Sequence, residues 1–145
     1  MTMADTAPDF PQALYYDIES QTWARPETDG SATVGITALG IVLSGEIYMC
    51  RPKPVGQVVE RGRSVAVVEL AKAIVSVKSP LAGTVLEVNP ALAERPELVH
   101  RDPYGQGWLV RLAPIDWAGD AVRLLHGDAV APAMANFAAR NRDDD

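Results

Sequence analysis

The residue with the clearest chemical potential is a lysine placed where turn chemistry does not ask for one. In "VAVVELAKAIVSVKSP", residues 65–80, two runs of small and β-branched residues flank Lys72, with Ala71 and Ala73 beside it and Glu69 three positions before it. A tight turn between two such strands usually takes Gly, Asn or Asp. The chemistry open to an exposed lysine amine is acylation; the plain alternative is a solvated charge that blunts a sheet edge. Lys53, Lys72 and Lys78 are the only lysines, against ten arginines, so most basic positions carry a residue that acylation cannot reach. Cys50, the single cysteine, excludes an internal disulfide and fits a reducing compartment; free cysteine usually packs as a small hydrophobe rather than serving as a reactive thiol. His100 and His126 fall in stretches that read as helical and lack spaced Cys or carboxylate partners, so no metal site is expected. "YGQGW" is not a phosphate loop, since no strand precedes it and no helix follows. No nucleophile and base pair up, and no catalytic residue is expected.

The elements that must position Lys72 are mostly strands. Strand-like segments run Leu14–Ile18, Ala32–Ile36, Ile47–Cys50, Gln57–Val59, Val65–Glu69, Ile74–Lys78, Thr84–Asn89 and Trp108–Leu112. Pro or Gly punctuates them at "RPKPVG", "ERG", "SPLAG" and "DPYGQG". The pattern predicts an antiparallel β sandwich or flattened barrel. "SVAVVE" and "IVSVKS" pair as a hairpin with Leu70, Ala71, Lys72 and Ala73 at its tip. Gly62 and Gly83, ten positions before Lys72 and eleven after, fall in turns where a positive φ would be available. "ERPELVHRDP" reads as one short helix closed by a proline. "GDAVRLLHGDAVAPAMANFAARN" reads as two more, with Asp120 and Asp128 as N-cap candidates. Trp108, Leu109 and Leu112 read as core, and Trp23 and Tyr104 as packing residues.

Length and charge narrow the classes. At 145 residues the chain can bury one core, so a single domain over 14–140 is expected, with a flexible N-terminal tail at 1–13 and an acidic tail at 141–145. The longest apolar run, "VGITALGIVLSG", ends after twelve residues, too few to span a bilayer, and the start has no secretory pattern, so the cytoplasm is the default compartment. The net charge of −6 lacks a nucleic-acid footprint.

Three segments resemble the glycine cleavage system H protein family, lipoyl-carrying relatives of the biotinyl and lipoyl domains, over roughly residues 14–140: "ATVGIT" with "SGEI", "VELAKAIVSVKSPLAGTVLEVN", and "ERPELVHRDPYGQGWLVRL". Glu69, Lys72 and Ala73 match the family's Glu-x-x-Lys-Ala motif at its spacing, and the third segment is close to a family signature. The resemblance implies a barrel-sandwich fold, mostly β, with a short helix and C-terminal helices. It implies that Lys72 receives lipoate as an amide, with Glu69, Ala71 and Ala73 as the flanking motif that a lipoate ligase or lipoyl transferase meets. Glu69 would help orient the turn, or is simply a strand-end charge. Biotin is the competing modification, but biotinyl domains carry a Met-Lys-Met tip and this one reads Ala-Lys-Ala.

Departures from the family pattern bear on partners. Gln21, Thr22 and Trp23 stand where His-Glu-Trp is usual, and "CRPKPVG" brings Arg51 and Lys53 to a loop that is usually acidic; Leu70-Ala71 replaces Ser-Val. A local sign change can redirect a carrier without altering its fold. The resemblance therefore implies one of two carrier roles. The departures favour an H-like lipoate-binding protein of bacterial sulfur oxidation, serving a heterodisulfide-reductase-like complex. The alternative is a glycine cleavage H protein that carries the aminomethyl group and meets glycine decarboxylase, aminomethyltransferase and dihydrolipoamide dehydrogenase. A third reading is an unmodified binding or scaffold module of the same fold.

Overall fold

The structure, a computed structural model, describes residues 10–142. Ten antiparallel strands form two sheets. The larger takes β1 (Tyr15–Asp17), β2 (Thr22–Pro26), β3 (Ala32–Ile36), β5 (Val58–Val59), β8 (Gly83–Val88), β9 (Val110–Pro114) and β10 (Leu125–His126), in the order β10-β1-β2-β3-β9-β8-β5. The smaller takes β4 (Met49–Pro52), β6 (Ser64–Glu69) and β7 (Ile74–Lys78), with β6 in the centre. Neither sheet closes on itself. The expected flattened sandwich of barrel-sandwich type is what forms.

One core joins the two sheets. Val34, Val85, Val110 and Leu112 from the larger sheet meet Cys50, Val65, Ala66, Val68 and Val77 from the smaller, with Leu81 and Leu109 between them. Both faces of β3 are covered, which is why "ATVGI" is buried throughout without polar alternation. A second cluster forms where α4 (Val130–Arg142) lies against β1 and β2: Leu14, Tyr16, Trp23, Leu39, Val130, Met134 and Ala138. Most of the tail expected at 1–13, and residues 143–145 of the acidic tail, lie outside the described residues. Phe10 packs against the second cluster with its ring edge-on to Tyr16, and the carbonyl of Pro11 accepts the Tyr16 hydroxyl at 2.7 Å.

Several local expectations are corrected. The apolar run after β3 turns into a helix, α1 (Ala38–Ser44), which the alternation of small and β-branched residues concealed. Its bounds have ordinary chemistry: the Thr37 hydroxyl accepts the Gly40 amide at 2.9 Å, and Gly45 closes the helix at φ 79°. Strand β2 is a further addition, concealed because "TWARP" ends in a proline; that proline sits at the strand's last position. In the C-terminal segment the N-cap of α3 (Trp117–Ala121) is Asp116, not Asp120. Asp128 lies inside a 3-10 turn, Gly127–Ala129, and caps nothing. His126 belongs to β10, paired with Tyr15, and not to a helix. Gly62 has the expected positive φ, 84°, but Gly83 does not: it opens β8, and a Cβ there would lie 2.6 Å from the Ala113 carbonyl oxygen. Close approach of β9, not turn geometry, demands that glycine. The helix read in "ERPELVHRDP" is α2 (Leu98–Arg101).

Candidate functional site

Lys72 sits at the tip of the hairpin that β6 and β7 make. The register pairs Glu69 with Ile74, Val68 with Val75 and Val67 with Ser76, and the Leu70 amide donates to the Ala73 carbonyl at 2.8 Å. The reversal needs no left-handed residue: among the described non-glycine residues only Gln21 has a positive φ. That is why alanine and lysine can occupy a tip that a primed turn would reserve for Gly or Asn. Leu70 packs against the main core and pins the base of the tip, while Ala71, Lys72 and Ala73 are exposed. The amine of Lys72 has no hydrogen-bond or ion-pair partner among the described residues.

The two other lysines lie at the opposite end of this small sheet. The Lys53 amide donates to the Val65 carbonyl at 2.9 Å, and Lys78 faces Ser64 across the strands. Glu69 is half-buried, and Arg51 on β4 reaches its carboxylate at 3.6 Å. The two sequence departures thus differ in kind: Arg51 answers a carboxylate of the lysine motif, and Lys53 answers none.

A groove of about 120 Å³ runs beside the hairpin, between the β7 stem and α1. Val75 and Ser76 line one wall; Gly40 and Ser44 line the other, with Gln21 and Ile47 between. Gln21 is buried with φ 54°, a left-handed conformation uncommon for a residue of its type. Its side-chain amide reaches the Met134 sulfur at 3.4 Å, and contacts with Ile18 and Thr37 hold it further. Its side-chain amide donates to the Ile18 carbonyl at 2.8 Å, its side-chain oxygen accepts the Thr37 hydroxyl, and its backbone carbonyl accepts the Thr37 amide at 3.0 Å. Sequence reasoning marked Gln21 as a departure and missed that it fixes the N-terminus of α1. Thr22 is fully buried and its hydroxyl has no partner among the described residues.

The segment "DPYGQGW" is an architectural strap. The Trp23 indole donates to the carbonyls of Ile36 and Pro103, both at 3.1 Å, and the Tyr104 hydroxyl accepts the Ala38 amide at 2.9 Å, so the strap holds both β2 and the first turn of α1. The Asp102 carboxylate accepts the Gln106 amide at 2.9 Å. At Gly107 a Cβ would lie 2.4 Å from the Leu98 carbonyl oxygen. His100 also serves the frame. Its Nε2 accepts the Ile47 amide at 2.9 Å, fixing the chain between α1 and β4 and placing the imidazole proton on Nδ1.

Cys50 is 4% exposed, and burial pushes its thiol up to about 12. It is a core residue, and its thiolate is inaccessible at neutral pH. Among the described residues no three His, Cys, Asp or Glu side chains gather as metal ligands, and no helix is long and apolar enough to cross a membrane.

Comparison with known proteins accords with this arrangement. The family model "Glycine cleavage H-protein" matches residues 14–136. The "Glycine cleavage system H protein 2" of Aquifex aeolicus is 37% identical over 130 residues, covering 90% of this chain and 81% of the relative. A "Glycine cleavage system H protein" of Thermus thermophilus is 44% identical over 117 residues, covering 81% of this chain and 89% of the relative. The crystal structure of a glycine cleavage system H protein from Mycobacterium marinum superposes with a TM-score of 0.72 at 28% identity, covering 92% of this chain and 99% of that one. With the hairpin, the strap and the two-sheet core in place, this chain belongs to the glycine cleavage H-protein family, non-catalytic carriers of a covalently attached lipoate.

Proposed function

We propose that Lys72 is the lipoyl attachment residue and that the protein carries the aminomethyl group of glycine cleavage from glycine decarboxylase to aminomethyltransferase, with dihydrolipoamide dehydrogenase restoring the oxidised arm. The observation that carries this is a lysine free of partners at the exposed tip of a rigid hairpin, inside the Glu-x-x-Lys-Ala spacing. The residues present fit the group. An amide on Nζ removes the charge, so the stem can enter a partner's active site without carrying a cation into low dielectric. Ala71 and Ala73 put no bulk beside the amine, and Leu70, anchored in the core, fixes the point from which the arm swings. Arg51 holds the Glu69 carboxylate, at 3.6 Å, on the β4 side of the hairpin. When bound, lipoate supplies a strained five-membered disulfide that is readily reduced.

The named relatives are glycine cleavage proteins, and this ranks the aminomethyl role above the sulfur-oxidation role that the sequence departures favour. In either role we place the protein in the cytoplasm, the compartment expected from its sequence. The test has two steps. Co-expression with a lipoate ligase should raise the intact mass by about 188 Da, the increment of one lipoyl amide. Lys72→Arg should abolish the shift and keep the fold, since arginine keeps the charge and cannot form this amide; a shift that persists moves the site to Lys53 or Lys78. The lipoylated protein should then support glycine–bicarbonate exchange by a bacterial glycine decarboxylase, near the rate of an established H protein. Full lipoylation with no exchange overturns the aminomethyl role and makes a dedicated pathway such as sulfur oxidation the better reading.

A further inference from the structure

Charge is divided unevenly along the chain. Residues 51–78 hold Arg51, Lys53, Arg61, Arg63, Lys72 and Lys78 against Glu60 and Glu69, a net of +4; the remaining residues hold seven cations and seventeen acids, a net of −10. All three strands of the smaller sheet but the start of β4 fall in this stretch, with Lys72 at the hairpin tip and Lys53, Arg63 and Lys78 at its base. Two of its cations are engaged, Arg51 with Glu69 at 3.6 Å and Arg61 with Asp120 at 3.8 Å. Lys53, Arg63 and Lys78 make no ion pair among the described residues.

These three converge on the base of the hairpin. Lys53 is hydrogen-bonded to Val65, Lys78 faces Ser64, and the Arg63 carbonyl accepts the Ser79 amide at 2.7 Å. Lys53, Arg63 and Ser64 line a depression of about 290 Å³ in which Glu60 is the one acid. Suppression of edge pairing accounts for Lys78, the last residue of β7, and for Lys53, just past β4, since these are the outer strands of the sheet. It does not account for Arg63, beside the central strand, or for the gathering of all three at one end.

We propose that the base of the hairpin, at Lys53, Arg63 and Lys78, is a docking surface for an acidic patch on the proteins that act on the arm. The proposal rests on Lys72 as the residue that carries the arm. From Ser64 to Leu70 the strand rises about 20 Å, so a partner seated at the base leaves the tip free to reach its active site. Screening confines each charge to about 8 Å at physiological salt, so the patch acts locally although the whole chain is acidic. With Lys72 acylated, residues 51–78 keep a net of +3 against −10 elsewhere, and at low salt this asymmetry favours approach of a negative surface to the base of the hairpin. Three cations at one point, next to an acid, suit a compact carboxylate cluster and not a nucleic-acid backbone, which requires a stripe.

The direct test titrates isotopically labelled, lipoylated protein with a poly-glutamate peptide at about 20 mM salt, followed by amide chemical shifts. Saturable changes are expected around Lys53, Arg63, Ser64 and Lys78, lost in the K53Q/R63Q/K78Q variant and retained in an R95Q/R123Q/R140Q control. No binding, or equal loss in the control, overturns the surface. The functional test uses charge reversal, K53E/R63E/K78E, in glycine–bicarbonate exchange with the decarboxylase of the same organism. KM should rise about tenfold at low salt with kcat unchanged, and the difference should shrink at about 200 mM salt. An unchanged KM overturns the docking role, and a lower KM means the partner surface is basic. Concentration-dependent sedimentation that the reversal abolishes, with KM unmoved, assigns the patch to self-association instead. A wild-type mass without the lipoyl increment refutes the Lys72 reading separately, and exchange that is absent from every variant refutes the glycine cleavage role while the peptide titration still decides the surface.

Discussion

Asn89 offers a sharp test of how the strap is held. It is buried at the end of β8; its amide donates to the carbonyls of Gln106 at 2.7 Å and Trp108 at 2.8 Å, and its oxygen accepts the Ala91 amide at 3.1 Å. Asn89→Ala removes all three bonds. At about 1 kcal/mol net for each, less what the exposed Gln106 recovers from water, the loss is about 2–3 kcal/mol. Asn89→Asp keeps the shape and the Ala91 amide but turns an acceptor toward two carbonyls, leaving a buried carboxylate with a single donor; its cost at pH 7 should exceed that of alanine, at about 4 kcal/mol. The sign with pH separates the two. In the Asp variant the folded carboxyl has its pKa raised above the unfolded value of about 3.9, so the folded state holds more protons and stability falls as pH rises through that interval. Urea unfolding at pH 7 and pH 5 should therefore show the Asp variant closing its gap to wild type in acid and the Ala variant keeping its gap. An Ala cost below about 1 kcal/mol, or an Asp variant no worse than Ala at pH 7, would refute the strap as a hydrogen-bonded element. Lys72, the proposed attachment residue, lies at the tip of the other sheet, so both variants should still take up the lipoyl group wherever they remain folded.

Three further outcomes follow from particular contacts. Gly62→Ala, with open space around its Cβ and a φ of 84°, should cost about 1 kcal/mol, whereas Gly83→Ala meets the Ala113 carbonyl at 2.6 Å and should cost about 3 kcal/mol; equal losses by chemical denaturation would contradict the two roles. Native Cys50 should fail to react with a disulfide reagent at pH 8 and react promptly once denatured, because burial pushes the thiol up to about 12; fast reaction in the native state counts against a buried thiol. Glu27 titrates below the ordinary carboxylate range because the Thr33 hydroxyl donates to it at 2.7 Å, with Arg25 adding to the effect against the opposing pull of burial. A depressed folded pKa supports stability above the unfolded value and loses it as pH falls through the folded one, so Thr33→Val should raise the Glu27 pKa by NMR and start acid unfolding at higher pH.

The legible parts of this sequence were those where local pattern and tertiary role coincide. The hairpin is one, since the two β-branched runs flanking Lys72 pair as read, from Glu69 opposite Ile74 to Ser64 opposite Lys78. Element α1 was not legible, because Ile36 to Leu43 is as apolar and β-branched as a strand; the real signals were the single hydroxyl of Thr37 and the left-handed Gly45. The first of the C-terminal caps was misplaced by four residues because Asp116 and Asp120 are equally good caps in isolation. Asp120 is diverted to tertiary work, accepting the Ala82 amide at 2.9 Å. The groove beside β7 had no signature at all, since Gln21, Gly40 and Val75 come from separate segments that only the fold brings together.

The most specific stretch of the sequence and the residue proposed to carry the arm lie apart, and a carrier's physics explains why. Lys72 needs only exposure, small neighbours and a stiff base, requirements that many hairpins meet and that leave little trace in sequence. The strap from Asp102 to Trp108 uses its polar side chains on the frame, Asp102 on the Gln106 amide and Tyr104 on the Ala38 amide; it binds β2 through the Trp23 indole and α1 through the Tyr104 hydroxyl, and α1 is the wall that faces the hairpin across the groove. Each tie depends on one donor meeting one carbonyl or hydroxyl at about 3 Å, which few substitutions preserve. In a protein that presents a group and transforms nothing, the strict requirements fall on the frame that sets the arm's surroundings. The surface is left open to change, and Arg51 and Lys53, where the sequence reads as departing from the family pattern, adjoin the hairpin without disturbing it.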